Sequence, residues 1–321
     1  MNNYTFLKKK YSPKNLDDLY LNKNIILLLK NLVKINHLNI LFVSNTETCK
    51  TTLINILVKY YYNNINIKSN ENILYINSLK DNGISYYRNE VKIFCQTKSS
   101  IINKKKTIII DDLDSINDQT QQVIRYYIDH YSKNINIIST CKNIQKILDS
   151  IQSRLDIIKI NNVNYENMNN IFNKICKNEN LNFNNNDKNF IINISNNSIS
   201  TMINCIEKIR LLDNVPGTDI DIKNICTNIS YNNFENYFIE CKNQNLINAL
   251  NIIKLLNTTG YTVIDILDNI YLYVNNTIII NEKQKYEIIK VICKYIKVFN
   301  NIHENDIELY FFTNNIIKIL I

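Results

Sequence analysis

The sequence predicts a parallel α/β domain followed by two helical regions. Three observations lead to this prediction. The chain has 321 residues, more than one compact domain usually needs. Short β-branched runs alternate with helix-like segments in roughly the first 150 residues, the pattern of a parallel sheet whose strands are joined by helices. Beyond about residue 160, helical periodicity replaces this alternation.

The α/β part begins with a basic arm and contains four strand candidates. The predicted strands are Asn39–Val43, Ile73–Asn77, Lys106–Asp111 and Ile135–Thr140. The predicted helices are a segment through Ile25–Leu29 and Leu32–Val33, then Thr51–Tyr62, Ser85–Gln96 and Gln119–Tyr131.

The remaining chain is predicted to be helical, with a turn at Pro216-Gly217. The predicted helices are Met168–Cys176, Lys188–Ile194, Ile199–Leu212, Asn233–Lys242, Ile247–Leu256, Val263–Val274 and Tyr286–Phe299. We therefore expect two or three domains.

Composition narrows the source and the class of protein. Asn, Ile and Lys dominate while only three glycines and two prolines occur, which is typical of an A/T-rich genome such as that of a giant DNA virus. The net charge of +8 fits either a solvated surface enriched in lysine or an anionic partner such as nucleic acid. Composition alone does not decide between the two.

Cysteine spacing and hydropathy exclude several classes. The eight cysteines form no CxxC pair and the three histidines are far apart in sequence, so no zinc-site spacing is present. No apolar run approaches the roughly 18–20 residues that a membrane span requires, and the N-terminus is polar and basic. We expect a soluble protein with free thiols in a reducing, intracellular compartment.

Residues 41–57, LFVSNTETCKTTLINIL, have the layout of a phosphate-binding loop between a strand and a helix. Lys50 suits phosphate and Thr51 suits magnesium, but Ser44 and Cys49 occupy the two positions where glycine is usual. The candidate nucleotide-binding residues are Ser44, Asn45, Thr46, Glu47, Thr48, Cys49, Lys50, Thr51 and Thr52. A chance Lys-Thr pair is the alternative.

Residues 107–114, TIIIDDLD, read as a β-branched strand that ends in acids. Asp111 is the candidate that organises magnesium together with Thr51. Asp112 stands where a glutamate usually activates the attacking water. Because the aspartate side chain is one methylene shorter, its carboxylate would be displaced from the position of the glutamate carboxylate, and catalysis tolerates such displacements poorly. A strand that simply ends in a polar turn is the alternative.

Several segments resemble the motifs of one family, in the same order. They are Lys10–Leu19 (KYSPKNLDDL), Asn77–Ser99 (NSLKDNGISYYRNEVKIFCQTKS), Asp111–Asp114, Gln121–Lys133 (QQVIRYYIDHYSK), Ile151–Arg154 (IQSR) and Phe234–Leu267. The corresponding patterns are K-Y-R-P-x-x-L-D-D-L, N-A-S-D-D-R-G-I-D-x-V-R-x-x-I-K-x-F-A, D-E-A-D, Q-Q-A-L-R-R-x-M-E-x-Y-S-K, an S-R-C box and a helical collar. The chain resembles the small subunits of replication factor C, the AAA+ clamp loader.

The resemblance implies three domains: an α/β AAA+ core at residues 1–160, an all-helical lid at 161–225 and an all-helical collar at 226–321 that forms the ring. It implies a hetero-pentamer that uses ATP with Mg²⁺ to place a sliding clamp on primer–template DNA, with no membrane involved. Replication in a nucleus, or in a cytoplasmic viral factory, would be its setting. It also implies that Tyr11 and Pro13 belong to the nucleotide site and that Arg154 acts in trans on a neighbour's nucleotide. A surface arginine that caps a helix is the alternative for Arg154.

Departures from the family pattern concentrate at the chain's own nucleotide pocket. Besides the missing loop glycines and Asp112, Lys142 aligns with the sensor asparagine and Thr201 with the second sensor arginine. We expect a subunit whose own hydrolysis is weak or absent, with ATP or ADP binding in question. An active ATPase subunit and a nucleotide-free scaffold are the alternatives.

The resemblance also implies contact with DNA phosphates, which gives affinity without sequence specificity. The candidates are Arg88, Arg125, Lys98 and Lys104. Each lysine has the alternative of an ordinary solvated charge.

Overall fold

A computed structural model describes residues 5–45, 49–63, 71–78, 83–213, 222–277, 280–301 and 306–320. The chain divides into two compact units, Met1–Ile175 with Asn197–Ser200, and Cys176–Asn196 with Thr201–Ile321. The finer division into three domains at residues 160 and 225 stays a prediction. No helix among the described residues is long and apolar enough to cross a membrane.

The first unit is built on a sheet of five parallel strands in the order β2-β3-β4-β1-β5. The strands are β1 Ile40–Val43, β2 Ile73–Asn77, β3 Lys106–Asp111, β4 Ile135–Cys141 and β5 Asp156–Lys159. The four predicted strands are confirmed. The fifth was not predicted because, of its four residues, only Ile158 is buried, so this edge strand lacks an apolar run.

Helices cover both faces of this sheet. They are α1 Leu7–Lys10, α2 Lys23–Ile35, α3 Lys50–Tyr61, α4 Ile84–Tyr86, α5 Lys92–Gln96, α6 Asp118–His130, α7 Asp149–Gln152 and α8 Tyr165–Glu179, the last running into the second unit. The predicted helix at Ser85–Gln96 is confirmed with one difference. Tyr87–Val91 forms a π-helical turn between α4 and α5, a feature that apolar spacing does not reveal.

Alternating side chains of the central strands build an apolar layer on each face. One layer joins Ile40 and Phe42 of β1 to Leu53 and Leu57 of α3. The other joins Leu41 to Ile110 of β3 and Ile124 of α6. Burial on both faces is why these strands read as continuous apolar runs rather than as an alternating pattern.

The second unit is helical. Its helices are α9 Asn185–Ile194, α10 Ile199–Asp213, α11 Ile222–Cys226, α12 Tyr231–Lys242, α13 Leu246–Thr258, α14 Val263–Asn276, α15 Glu282–Asn301 and α16 Asp306–Leu320. All the predicted helices of this region are confirmed, while α11 and α16 were not predicted. The turn at Pro216-Gly217 lies outside the described residues.

Aromatic side chains fill the core of this second unit. The rings of Phe238 and Tyr273 are stacked with centroids 5.4 Å apart, and Phe234 and Phe312 are fully buried beside them. The hydroxyl of buried Tyr237 donates a hydrogen bond to Thr313 Oγ1 at 3.3 Å. Large rings of this kind supply much of the apolar area that stabilises a helical domain.

Asparagine replaces glycine at most left-handed backbone positions. Among the described residues, those other than glycine with positive φ are Asn36, Asn63, Asn103, Asp112, Asn180, Asn196, Asn197 and Gln244. Asparagine tolerates this conformation better than most residues with a Cβ. A chain with three glycines can therefore still form these turns.

Candidate nucleotide site

The candidate site lies where three adjacent strands end. In the order β3-β4-β1, the strand ends bring Asp111, Cys141 and Val43 to one edge of the sheet. The loop after β1 leads to Lys50 at the head of α3. In open parallel sheets, ligands bind outside the carboxyl ends of the strands.

Lys50 is buried, and its ammonium is held by the loop itself. The Nζ atom donates to the carbonyl oxygens of Ser44 and Asn45, both at 2.9 Å. Burial lowers the pKa of Lys50, whereas the nearby Asp112 carboxylate acts in the opposite direction. The positive charge therefore lies at the head of α3, where helix amides also favour an anion.

Asp111 is surrounded by hydroxyl groups. Thr140 Oγ1 donates to its Oδ1 at 2.7 Å, and Tyr75 Oη donates to its Oδ2 at 2.8 Å. Thr51 Oγ1 lies 3.5 Å from the same Oδ2 atom. The structure therefore brings together Thr51 and Asp111, the two side chains predicted to hold magnesium.

Tyr75 is a member of this site that sequence reasoning missed. Burial raises the pKa of the Tyr75 hydroxyl, and its hydrogen bond to Asp111 raises the pKa further. The strand register explains its position, since Asn77 pairs with Asp111. A residue two positions before Asn77 lies on the same face, from which a long side chain can reach the acid.

Asp112 is held differently from its neighbour. Its backbone is left-handed at φ 55°, its N–H donates to Thr140 Oγ1 at 2.9 Å, and its carbonyl accepts from Ser78 Oγ at 2.8 Å. Lys142 Nζ lies 3.8 Å from Asp112 Oδ2. The predicted catalytic acid is thus paired with Lys142, which the sequence analysis aligns with the sensor asparagine.

The donor set fits a magnesium nucleotide. A hydroxyl and a carboxylate side by side suit Mg²⁺, which commonly takes one or two protein ligands and the remainder from phosphates and water. Lys50 at the head of a 12-residue helix suits phosphate. No group of three or more His, Cys, Asp or Glu side chains forms a metal site among the described residues, so the fit depends on phosphate oxygens as further ligands.

Of the other predicted nucleotide residues, the structure describes Cys49, Thr52, Tyr11 and Pro13. Thr46, Glu47 and Thr48 are outside the described residues. Cys49 is exposed, while Thr52, Tyr11 and Pro13 are half-buried. The charge of Lys8, on α1 just before Tyr11, acts on the Cys49 thiol, so the N-terminal arm is near the loop.

Arg154 is engaged elsewhere within the first unit. Its Nε donates to Asp129 Oδ1 at 2.6 Å and its Nη1 to the Ser150 carbonyl at 2.7 Å. The hydrogen bond from Arg154 lowers the pKa of Asp129. The side chain of Arg154 remains 35% exposed, so its guanidinium is accessible from outside the chain. Thr201, at the second sensor position, donates to the Ser195 carbonyl at 3.1 Å.

The four predicted DNA-binding residues fall into two groups. Arg125 lies on α6, and Arg88 lies on the π-helical turn, where its charge acts on Tyr127 of α6. Lys104 precedes the first residue of β3, and its Nζ lies 4.3 Å from the Tyr61 ring centroid. Lys98 follows Thr97, which bonds to Lys106 at this same end of β3. Both lysines thus lie at the end of β3 opposite to Asp111.

Comparison with protein families gives a match in the C-terminal part of the chain. Residues 229–297 match the model of the replication factor C C-terminal domain. The matched segment runs from just before α12 into α15, within the helical unit.

Two archaeal relatives are replication factor C small subunits. The one from Sulfolobus acidocaldarius is 32% identical over 53% of this chain and 52% of its own length. This chain therefore spans about half the length of that relative. The one from Picrophilus torridus is 26% identical over 89% of both chains. These similarities support a replication factor C small subunit.

The fold is similar to that of a solved motor protein. The Thermotoga maritima RuvB Holliday junction branch migration motor superposes with a TM-score of 0.50 at 13% identity, covering 65% of this chain and 68% of that one. The fold is thus an α/β core with a parallel five-stranded sheet and flanking helices, followed by an all-helical region. The predicted fold class is confirmed.

Proposed function

We propose that this chain is a small subunit of a replication factor C-like clamp loader. It helps to place a sliding clamp on primer–template junctions, within a ring of related subunits. The matched C-terminal domain and the small-subunit relatives support this role. Arg88 and Arg125, on neighbouring helices of the first unit, are its candidates for contact with DNA phosphates.

Its own pocket holds ATP or ADP with Mg²⁺ and hydrolyses ATP weakly or not at all. The observation that carries this proposal is the contrast between the two acids. Asp111 lies beside Thr51 and Lys50 heads α3, as binding requires. Asp112 is paired with Lys142, so it is a poor acceptor for the proton of an attacking water. Bound Mg²⁺ would screen the phosphate charge.

Arg154 serves the nucleotide of the neighbouring subunit. In the isolated chain Asp129 and Ser150 hold its guanidinium at the surface, where it is pre-positioned for an anionic partner. An arginine supplied in trans stabilises charge that develops during phosphoryl transfer and contributes roughly 10³- to 10⁵-fold to the rate.

A fully active ATPase subunit is the second candidate. It is favoured by the 3.5 Å approach of Thr51 to Asp111, which would be retained in a working metal site. A nucleotide-free scaffold is the third, and it predicts no nucleotide binding at all.

Nucleotide binding can be measured with the chain's own thiols. Of the eight cysteines, only Cys49 in the loop and Cys293 in α15 are exposed. We expect MgATP to slow alkylation of Cys49 by N-ethylmaleimide while Cys293 reacts at an unchanged rate, as read by mass spectrometry of the peptides. Lys50→Ala should abolish the protection, because it removes the phosphate-binding charge. Equal reactivity of Cys49 with and without MgATP or MgADP would favour the scaffold.

The trans role is tested in the complex assembled with the partner subunits. Arg154→Ala should lower the ATPase rate of the complex at least tenfold, since the neighbour's site loses its cation. Lys133→Ala, an exposed lysine just beyond α6, is the matched control and should leave the rate unchanged. An unchanged rate for Arg154→Ala would contradict the assignment.

A further inference from the structure

The backbone of Asp112 is held in place at the nucleotide site. Thr140 and Ser78 hold its N–H and its carbonyl, and its backbone is in the left-handed region. Its side chain is 21% exposed, so water screens the carboxylate only in part. A fixed negative charge therefore lies at the edge of the sheet where phosphates would bind.

This carboxylate is within electrostatic reach of Lys50, on which both Asp112 and Lys142 act. Lys50 and the charged side chains that act on it, Lys142, Asp111 and Asp112, comprise two ammonium groups and two carboxylates. Their formal charges cancel. Without Lys142 the set would carry one negative charge, which would repel a phosphate chain.

We infer that Lys142 is a positioning and charge-compensating residue that enables this pocket to bind nucleotide phosphates beside Asp112. Its ammonium, 3.8 Å from Asp112 Oδ2, neutralises the acid rather than contacting the ligand. The backbone at Lys142 is held beside the acids, because the N–H groups of Lys142 and Asn143 donate to Asp114 Oδ2 at 3.2 and 3.0 Å. The inference depends on the proposed nucleotide binding and adds which residue makes that binding possible.

The test is a set of affinities for MgATP and MgADP, measured by calorimetry on the full chain. Lys142→Met should weaken both about tenfold, the effect of one partly screened charge at short range. Lys142→Met combined with Asp112→Asn should restore the wild-type affinity, because the uncompensated charge is gone. Lys142→Arg should keep it, and Lys146→Met, at an exposed lysine four residues away, should have no effect.

The outcomes separate this inference from the proposal on which it depends. A double variant as weak as Lys142→Met would mean that Lys142 contacts the phosphates directly, and would overturn charge compensation. Unchanged affinity of Lys142→Met would also overturn it. Absence of binding by the wild-type chain would overturn nucleotide binding itself, and this inference with it.

Discussion

At the scale of the residue, two adjacent aspartates at one strand end have different surroundings. Asp111 accepts hydrogen bonds from hydroxyl groups on strands at both sides, which suits an ion ligand. Asp112 is fixed by its backbone and paired with an ammonium group. The two side chains are chemically identical. Their different surroundings come from the strand register around Asp111 and from Lys142, the residue that follows β4.

Tyr62 provides a residue-scale test of the fold. Its hydroxyl contacts the carbonyls of Asn72 and Lys105 and the Thr107 hydroxyl, at 3.2, 2.7 and 3.0 Å. Tyr62→Phe removes the one proton that the hydroxyl can donate, whose shortest contact is the Lys105 carbonyl, so we expect a loss of about 1–3 kcal/mol in the free energy of unfolding. Urea unfolding measures it, with Tyr60→Phe at a 44% exposed ring as control. Equal midpoints for the two variants would contradict the network.

The Arg154–Asp129 pair predicts a pH dependence. The hydrogen bond from Arg154 holds the pKa of Asp129 below its ordinary value of 3.8. A depressed folded-state pKa contributes stability above the unfolded value, and this contribution is lost as the pH falls through the folded value. The thermal midpoint of the wild-type chain should therefore exceed that of Asp129→Asn slightly near neutral pH, and the two should converge in acid. The difference stays small because the pair is exposed.

The control for this prediction removes the partner. In an Arg154→Met background, Asp129→Asn should no longer change how the midpoint depends on pH. A pH-dependent difference that persists there would mean that another group depresses the pKa of Asp129.

At the scale of the element, side-chain caps determine where a helix begins when helix propensity alone does not determine it. Helix α14 begins with a capping box in which Thr262 Oγ1 accepts from the Asp265 N–H at 3.1 Å and Asp265 Oδ2 accepts from the Thr262 N–H at 3.3 Å. Together they satisfy two amides that the helix itself cannot.

Loss of this cap should destabilise the helical unit. Thr262→Ala is expected to lower the free energy of unfolding by about 1 kcal/mol. Thr258→Ala, in the last turn of α13, is the matched control and should change it by only a few tenths, because alanine favours helix. Circular dichroism during urea unfolding measures both. A larger loss for Thr258→Ala would contradict the role of the cap.

Elements with strong patterns could be predicted from the sequence, and those with weak patterns could not. The buried strand at Lys106–Asp111 was predicted to the residue, because its apolar run and terminal acids are local signals. The edge strand β5 has no such run, and the π-helical turn is an insertion that periodicity does not show.

The residues of the candidate site likewise fall into those that could be predicted from the sequence and those that could not. Lys50, Thr51 and Asp111 could be predicted because a loop and a strand end are contiguous in sequence. Tyr75, Ser78 and Thr140 could not, because they reach the acids across neighbouring strands. That placement depends on which strands are adjacent, and the sequence does not state the strand order.

At the scale of the whole molecule, two units with separate cores predict a local response to ligand. A nucleotide at one hundred times its Kd adds about 2.7 kcal/mol to the stability of the unit that binds it. MgATP should therefore slow hydrogen exchange in β1, β3, β4 and the head of α3, and leave α12–α14 unchanged. Hydrogen exchange with mass spectrometry reads both units in one sample. Equal slowing in both would mean that the chain opens as a single cooperative body.

The left-handed asparagines have a consequence for the unfolded chain. Glycine loses more backbone freedom on folding than any other residue, a difference of roughly 0.5–1 kcal/mol relative to alanine. Where Asn36, Asn103 and Asn180 form the turn instead, the denatured ensemble is narrower and less entropy is lost when the chain folds. The entropy lost on folding at these turns is therefore smaller than glycine would lose, and this gain offsets part of the cost of a Cβ at positive φ.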